Sequence, residues 1–162
     1  MTTKAWPEPV ERVAAVLRQA GVDARIEEFP EGTKTARDAA EAVGCELSQI
    51  VKTLVVVADG AFALVLIPGD ERLDEAAVAA VLQVQAVRIA TAPEVVQATG
   101  FDPGGVAPFP QLAVAGALIE RSLFRHQVVW IGAGSGRHVA GLAPVELARL
   151  ANARTVDLHL AG

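Results

Sequence analysis

The sequence predicts a mixed α/β domain of the α+β kind, in which helices surround a sheet with both parallel and antiparallel strands. Three observations support this class. Helix and strand patterns alternate along the chain, a tight hairpin signal joins two of the strands, and 52% of the residues are apolar. Alternation alone favours a parallel, doubly wound sheet, whereas a hairpin requires antiparallel neighbours, so a mixed sheet is expected. The length of 162 residues fits one domain, residues 1–162.

The first part of the chain contains two helix patterns and one strand pattern. Apolar residues recur at helical spacing after Pro7, and Gly21 is suited to end that helix. Thr35 stands where an N-cap hydroxyl would accept a backbone N–H. The predicted elements are a helix over Pro7–Ala20 within an N-terminal segment 1–22, a strand over Ala24–Phe29, a turn over Pro30–Lys34, and a helix over Ala36–Val43 that Gly44 ends.

A β-hairpin is the strongest local prediction in the middle of the chain. Asp59-Gly60 is a two-residue turn signal between two apolar runs. Because these runs are apolar at nearly every position, both faces of the hairpin are expected to be covered. Thr91 and Glu94 form a capping box. The predicted elements are strands over Ile50–Ala58 and Ala61–Ile67, a helix from its N-cap Asp74 to Leu82, a strand over Ala86–Ala90, and a helix ended by Gly100.

The last part begins with a loop rich in glycine and proline, Phe101–Pro110, which has no periodicity. Short strand patterns follow, interrupted by a polar segment and by a glycine-rich turn. The predicted elements are strands over Leu112–Ala115, Gln127–Ile131, His138–Leu142 and Thr155–Leu158, a polar segment over Glu120–Arg125, a turn over Gly132–Gly136, and a helix from Pro144 to Asn152.

Composition excludes several functional classes. A net charge of −5 disfavours nonspecific binding to DNA or RNA, so a nucleic-acid partner requires a local patch. Aromatic residues make up 4% of the chain, too few for base-stacking platforms. The single cysteine, Cys45, allows no internal disulfide and is interpreted as a small packed thiol. No apolar run reaches the roughly 20 residues that span a bilayer. We therefore expect a cytoplasmic protein without a metal site or a cofactor.

Arginine is concentrated in the second half of the sequence. Between residues 121 and 154 there are five arginines and one acidic residue. Two interpretations remain open, a solvated surface and a patch that contacts phosphates. The candidates for phosphate contact are Arg121, Arg125 and Arg137.

Lys52 stands out because it is one of three lysines and lies within an apolar strand, on the same face as Leu54 and Val56. An unpaired ammonium on a buried face costs several kcal/mol, so it needs an anionic partner, a cavity or a lowered pKa. Two interpretations remain open. Lys52 is either an edge-strand lysine that faces solvent, or it projects into a polar pocket lined by aliphatic side chains.

Two glycine-rich loops are candidates for the walls of such a pocket. Consecutive glycines, Gly104-Gly105, let the backbone approach a ligand, and the N–H groups of such a loop can hold an oxyanion. The turn over residues 132–136 lacks the Lys-Ser/Thr end of a Walker loop and the first glycine of a nucleophile elbow. In that turn, Ser135 is a candidate hydroxyl donor. Ordinary surface turns remain the alternative for both loops.

Five stretches together resemble the YbaK/ProX-type aminoacyl-tRNA deacylases, which are relatives of the editing domain inserted in bacterial prolyl-tRNA synthetases. They occur in the family's order, and the resemblance covers residues 24–158, leaving the first helix outside. The stretches are QIVKTLVVV, ALVLIPGDERLD, TGFDPGGVAPF, SLFRHQVVWIGAGSGRHV and APVELARL. One departure is Pro110, where many members of the family have glycine.

The resemblance implies a barrel-like mixed sheet wrapped by helices and hydrolysis of the ester that joins a wrong amino acid to the 3′ end of a tRNA of the tRNA(Pro) type. It identifies Lys52 as the essential lysine. Aminoacyl-tRNA is the implied partner, a synthetase is a further candidate partner, and Arg121, Arg125 and Arg137 are candidate tRNA contacts. The implied substrate-binding residues are Thr53, Gly104, Gly105, Val106, Pro108, Phe109, Gly132, Gly134 and Ser135.

A mechanism follows as a hypothesis. Water attacks the ester, Lys52 supplies a cation near the carbonyl or the terminal phosphate, and the Gly104–Gly105 loop supplies backbone donors. Two other functions stay open at this point. One is a non-catalytic family member that binds aminoacyl-tRNA or a partner protein, and the other is a small-molecule binding module.

Overall fold

The predicted hairpin forms the centre of the larger of two sheets. Strands β2 (Val51–Ala58) and β3 (Ala61–Pro68) pair antiparallel. The turn residues Asp59 and Gly60 have φ angles of 47° and 86°, the left-handed values that a two-residue hairpin turn requires. The carboxylate of Asp59 also accepts the N–H groups of Gln85 and Ala86, which lowers its pKa. The hairpin prediction is therefore confirmed.

The computed structural model describes residues 6–158. A five-stranded sheet has the order β4-β2-β3-β5-β8, and a three-stranded antiparallel sheet has the order β1-β7-β6. The helices are α1 (Glu8–Ala20), α2 (Ala36–Val43), α3 (Glu75–Leu82), α4 (Ala92–Thr99) and α5 (Pro144–Leu150). The remaining strands are β1 (Arg25–Glu28), β4 (Val87–Ile89), β5 (Gly116–Glu120), β6 (Val129–Gly132), β7 (His138–Leu142) and β8 (Ala153–Val156). Short 3₁₀ helices lie at Leu47–Gln49, Pro103–Gly105 and Arg121–Arg125.

The expected mixed sheet is confirmed, although its strands form two sheets that are not closed into a barrel. In the larger sheet, β2 pairs antiparallel with β3 and β4, whereas β5 pairs parallel with β3 and β8. A parallel bridge between Ile50 and Trp130 connects the two sheets. Beyond this bridge β2 and β6 do not continue as a ladder, so among residues 6–158 the start of β2 has no strand neighbour on that side.

Side-chain caps fix the starts of three described helices, α2, α3 and α4, where the sequence predicts them. The hydroxyl of Thr35 accepts the N–H of Asp38, and Asp74 caps α3 in the same way. Thr91 and Glu94 form the capping box of α4. No helix among residues 6–158 is long and apolar enough to cross a membrane.

One predicted strand is wrong. Residues 112–115 form an irregular segment, and the strand is β5, which begins at Gly116. Its stability comes from parallel neighbours on both sides, which a local pattern does not show. The carboxylate of Glu120 at its end is fully buried and accepts bonds from Ser122 and from the N–H of Leu158. The last helix ends at Leu150, two residues early, and β8 also begins two residues early.

Candidate active site

A cavity of about 370 Å³ lies beside the Ile50–Trp130 bridge. Four parts of the chain line it: the loop before α2 with the start of that helix, the first half of β2, the loop around Pro103–Val106, and β6 with the turn that follows. Its apolar lining residues are Ala36, Ala39, Ile50, Val51, Leu54, Pro103, Val106, Trp130, Ile131 and Val139. The volume lies within the range of small-molecule sites.

Lys52 is one of the residues that line this cavity. The side chain is half-buried, and Nζ donates a hydrogen bond to the backbone carbonyl of Glu71 at 2.7 Å. Strand β4 pairs only with residues 56–58 of β2, so the segment around Lys52 has β3 on one side and the cavity on the other. A lysine is tolerated in this apolar strand because the Glu71 carbonyl accepts a bond from its ammonium and because the residue borders the cavity. This placement favours the pocket interpretation over the solvent-facing edge.

Thr53 also lines the cavity, and its hydroxyl oxygen is buried. Within residues 6–158 this oxygen makes no hydrogen bond. A buried polar group without a partner costs about 1–3 kcal/mol, so a bound ligand that bonds to it would recover that energy. Thr53 is therefore a candidate contact for a polar group of a ligand.

The two glycine-rich loops contact each other through their backbones. A Cβ atom on Gly105 would lie 2.5 Å from the Cα of Ser135, and one on Gly132 would lie 2.6 Å from the carbonyl oxygen of Val106. Glycine is required at both positions because any side chain would separate the loops. Gly104 differs, since a Cβ there meets no atom within 4 Å. The N–H of Gly105 donates to the Asp102 carbonyl at 2.9 Å, so it serves the loop itself.

Ser135 holds the β6–β7 turn in place. Its Oγ accepts the N–H of Arg137 at 3.0 Å and lies 2.6 Å from Nδ1 of His138. In this contact either the Ser135 hydroxyl donates to Nδ1 or a protonated Nδ1 donates to Oγ, depending on the His138 tautomer. His138 is buried, with Nε2 3.6 Å from a carboxylate oxygen of Glu28. The hydroxyl of Ser135 is thus engaged within the protein instead of pointing freely at a ligand.

The structure brings most of the predicted site residues together around one cavity. Those that line it are Lys52, Thr53, Gly104, Gly105, Val106, Gly132 and Ser135. Three others have packing positions. Phe109 is 1% exposed in the main core and Pro108 is buried, while Gly134 packs against the backbone of Pro9 and Val10 at the start of α1.

The three candidate arginines lie in two places. Arg121 and Arg125 are exposed on the 3₁₀ helix that precedes β6, and Arg125 borders a separate depression beside Cys45 and His126. Burial and the neighbouring Glu46 raise the pKa of the Cys45 thiol, as befits a packing residue. Arg137 instead lies in the β6–β7 turn.

Sequence reasoning missed Lys34, which lines the cavity from the loop before α2. The scarcity of lysine that singled out Lys52 applies to Lys34 as well and was the available signal. Among the described residues lining the cavity, Lys34 and Lys52 are the lysines and none is acidic. The cavity is therefore locally positive in a chain whose net charge is −5. Residues 6–158 hold no cluster of three or more side chains arranged as metal ligands.

Comparison with known proteins gives a consistent relationship. The family model described as the aminoacyl-tRNA editing domain matches residues 30–150, a span that includes both cavity lysines and both glycine-rich loops. A crystal structure presented as a candidate trans-editing enzyme for prolyl tRNA synthetase superimposes with a TM-score of 0.87 and 34% identity, over 94% of this chain and 98% of that one.

Two curated relatives differ in how much of their length is shared. The proline–tRNA ligase of Bacillus licheniformis is 36% identical over 93 residues, which are 55% of this chain and 16% of the ligase. The uncharacterized protein YwhH of Bacillus subtilis is 32% identical over 123 residues, 75% of this chain and 78% of that protein. The matched part of the ligase is therefore a small fraction of its length.

Proposed function

The chain belongs to the aminoacyl-tRNA editing domain family, and we propose that it is a hydrolase that removes a wrongly attached amino acid from tRNA, acting in trans to the synthetase. The observation that carries the proposal is that Lys52, whose ammonium is held by the Glu71 carbonyl, lines a cavity bordered by two glycine-rich loops. Aminoacyl-tRNA is the substrate class, and the cytoplasm is the compartment where it occurs.

The charge of the cavity fits this substrate. Its described lining has two lysines and no carboxylate, which favours a ligand that is anionic or that develops negative charge. The aminoacylated end of a tRNA does both. The tRNA phosphates are anionic, and the carbonyl oxygen of the ester becomes negative during hydrolysis. Stabilisation of that charge by a fixed cation is a large catalytic effect.

The reaction requires one water molecule and no cofactor. Water attacks the carbonyl carbon of the ester and loses a proton, and the carbonyl oxygen becomes an oxyanion. We assign the N–H groups of Lys52 that do not bond to Glu71 to this oxyanion, with the N–H of Gly104 as a second donor. The tetrahedral intermediate then expels the ribose oxygen of the terminal adenosine, which takes up a proton. The products are the free amino acid and uncharged tRNA.

A modest site suffices for this chemistry because the ester is already an activated acyl group and binding fixes its orientation. The need for such an enzyme follows from the limits of recognition. One methylene group is worth about 1–3 kcal/mol in a pocket, so a synthetase that admits a smaller amino acid needs a second, hydrolytic sieve.

The prolyl system is the first source of substrate to test, since the similar structure is presented as a candidate trans-editing enzyme for prolyl tRNA synthetase and the Bacillus licheniformis relative is a proline–tRNA ligase. The proposed subsite for the amino-acid side chain is the part of the cavity lined by Ala39, Ile50 and Val139, which pack in one apolar cluster. A prolyl-tRNA synthetase is the proposed partner that hands over mischarged tRNA.

A deacylation panel tests the proposed function. The protein is incubated with tRNA(Pro) carrying different wrong amino acids, with correctly charged tRNA(Pro) and with unrelated charged tRNAs, and release of labelled amino acid is followed. We expect hydrolysis of at least one mischarged tRNA and sparing of correctly charged prolyl-tRNA. Binding without hydrolysis across the whole panel would contradict the enzyme and leave a non-catalytic binding protein.

A further inference from the structure

A second depression of about 500 Å³ continues from the rim of the cavity. The two adjoin, since they share Thr33, Lys34, Gly104, Ser135 and Gly136 as lining residues. The outer part of the depression is formed by Gly32, Glu31 and Arg137.

Backbone contacts between three chain segments make this depression a preformed surface. The N–H of Thr33 donates to the carbonyl of Gly136 at 3.0 Å, and the N–H of Phe29 donates to that of Arg137 at 2.7 Å. A Cβ on Gly136 would lie 3.4 Å from the carbonyl oxygen of Gly104. The loop before α2, the β6–β7 turn and the Gly104 loop are thus held together, which lowers the cost of ordering them around a ligand.

The charges of this surface are unusual for the chain. Lys34 and Arg137 are exposed, and neither makes an ion pair with a residue of the described range 6–158. Glu31, at the outer end, is the acidic side chain of the depression. Two cations beside the cavity that form no ion pair within residues 6–158, in a protein with a net charge of −5, favour a ligand that carries several negative charges in a row.

We propose that this depression holds the single-stranded 3′ tail of tRNA, with Lys34 and Arg137 on the phosphates that precede the terminal adenosine. The inference rests on the proposed function and extends it from the ester to the nucleotides next to it. The described lining of the depression contains no aromatic side chain. Binding is therefore driven by phosphate charge and is insensitive to base identity.

The same geometry separates Arg137 from the two other candidate arginines. Arg121 and Arg125 line neither the cavity nor the depression that continues from it. Because these two arginines are exposed and basic, as Lys34 and Arg137 are, they serve as the matched control.

The test uses two non-hydrolysable ligands, alanine linked through an amide to the 3′ position of adenosine, and the same group on a CCA trinucleotide. Dissociation constants are measured at several salt concentrations for the wild type, for Lys34→Ala/Arg137→Ala and for Arg121→Ala/Arg125→Ala. The wild type is expected to bind the trinucleotide conjugate more tightly and with a steeper salt dependence than the adenosine conjugate. Each lost phosphate contact lowers that slope by about 0.7.

The Lys34→Ala/Arg137→Ala variant is expected to lose the advantage of the trinucleotide and to bind the adenosine conjugate like the wild type, whereas the control variant keeps the advantage. Thermal unfolding verifies that both variants fold. Equal wild-type affinity for the two conjugates, or an equal loss in the control variant, would overturn the inference. Tail binding that depends on Lys34 and Arg137 in a protein that hydrolyses no mischarged tRNA would instead contradict the proposed function alone.

Discussion

Two lysines line the same cavity, and the structure holds them in opposite ways. Lys52 is half-buried on a central strand, and a hydrogen bond of 2.7 Å to the Glu71 carbonyl fixes its ammonium. Lys34 is exposed on a loop and makes no ion pair within residues 6–158. The two lysines therefore carry the same charge but differ in how firmly the structure positions it. This difference suggests that one lysine acts in the reaction and the other in ligand binding.

The difference in burial indicates which lysine acts in the reaction and which acts in binding. A charge that is already oriented and partly removed from water stabilises the transition state without reorganisation. An exposed, mobile charge is screened by salt within about 10 Å and contributes mainly to attraction of the ligand. We therefore expect Lys52 to govern the rate of the chemical step and Lys34 to govern affinity.

The largest effect is expected from Lys52→Ala. Loss of one oxyanion donor costs about 10²–10³-fold in kcat, so this variant should lose most of its deacylation rate with little change in KM. Lys34→Ala should instead raise KM at constant kcat, most visibly at low salt. Steady-state kinetics on the best substrate of the panel measure both. An unchanged kcat in Lys52→Ala would remove the assignment of Lys52.

Substitution of neighbouring glycines tests how rigidly the loop wall is built. Gly105→Ala places a Cβ 2.5 Å from the backbone of Ser135 and should destabilise the fold by about 1–3 kcal/mol through overpacking. Gly104→Ala meets no atom within 4 Å and should leave the free energy of unfolding nearly unchanged. Chemical denaturation compares the two. Equal stability of both variants would show that the loops are not in the contact described.

Ser135→Ala should lower the free energy of unfolding but reduce the deacylation rate only modestly. The variant removes the partner of the Arg137 N–H and of Nδ1 of the buried His138, at a cost of about 1–3 kcal/mol. Deacylation should fall far less than in Lys52→Ala, because the Ser135 hydroxyl bonds within the protein. Loss of hydrolysis at unchanged stability would instead mean that this hydroxyl contacts the substrate.

The smallest effect is expected at the surface of α4, where Glu94 pairs with Arg88 and accepts the N–H of Thr91. The hydrogen bonds from Arg88 are the main reason that the pKa of Glu94 falls from 4.5 to about 2. A lowered carboxyl pKa stabilises the fold above pH 4.5, and that stabilisation disappears between pH 4.5 and about 2. Glu94→Gln should therefore lower the unfolding temperature slightly at pH 7, and the difference should shrink as the pH falls through this window. A pH-independent difference would contradict the ionic origin.

Local chemistry explains which elements the sequence predicts well. The Asp59-Gly60 turn and the caps at Thr35 and Thr91 depend on residues two to four positions away, so their patterns can be recognised in the sequence alone. Strand β5 was missed because its stability comes from the parallel neighbours β3 and β8. The buried Glu120 likewise depends on Leu158, 38 residues away.

The same distinction applies to the candidate site. Lys52 stands out in the sequence because a charge inside an apolar strand needs a local explanation. Lys34 was missed since its place beside the cavity depends on contact between Thr33 and Gly136, which are 103 residues apart. Conversely, Phe109 and Gly134 lie in or beside the glycine-rich loops that the sequence indicates as pocket walls, yet in the structure both residues pack against the protein interior.

The most direct test of the account is a crystal structure of the protein with an aminoacyl group linked through an amide to the 3′ position of adenosine. We predict that the amide carbonyl oxygen accepts a hydrogen bond from Nζ of Lys52, at roughly 2.7–3.2 Å, between the two glycine-rich loops. A ligand bound outside this cavity, or an Nζ that contacts only the Glu71 carbonyl while the ligand is present, would contradict it.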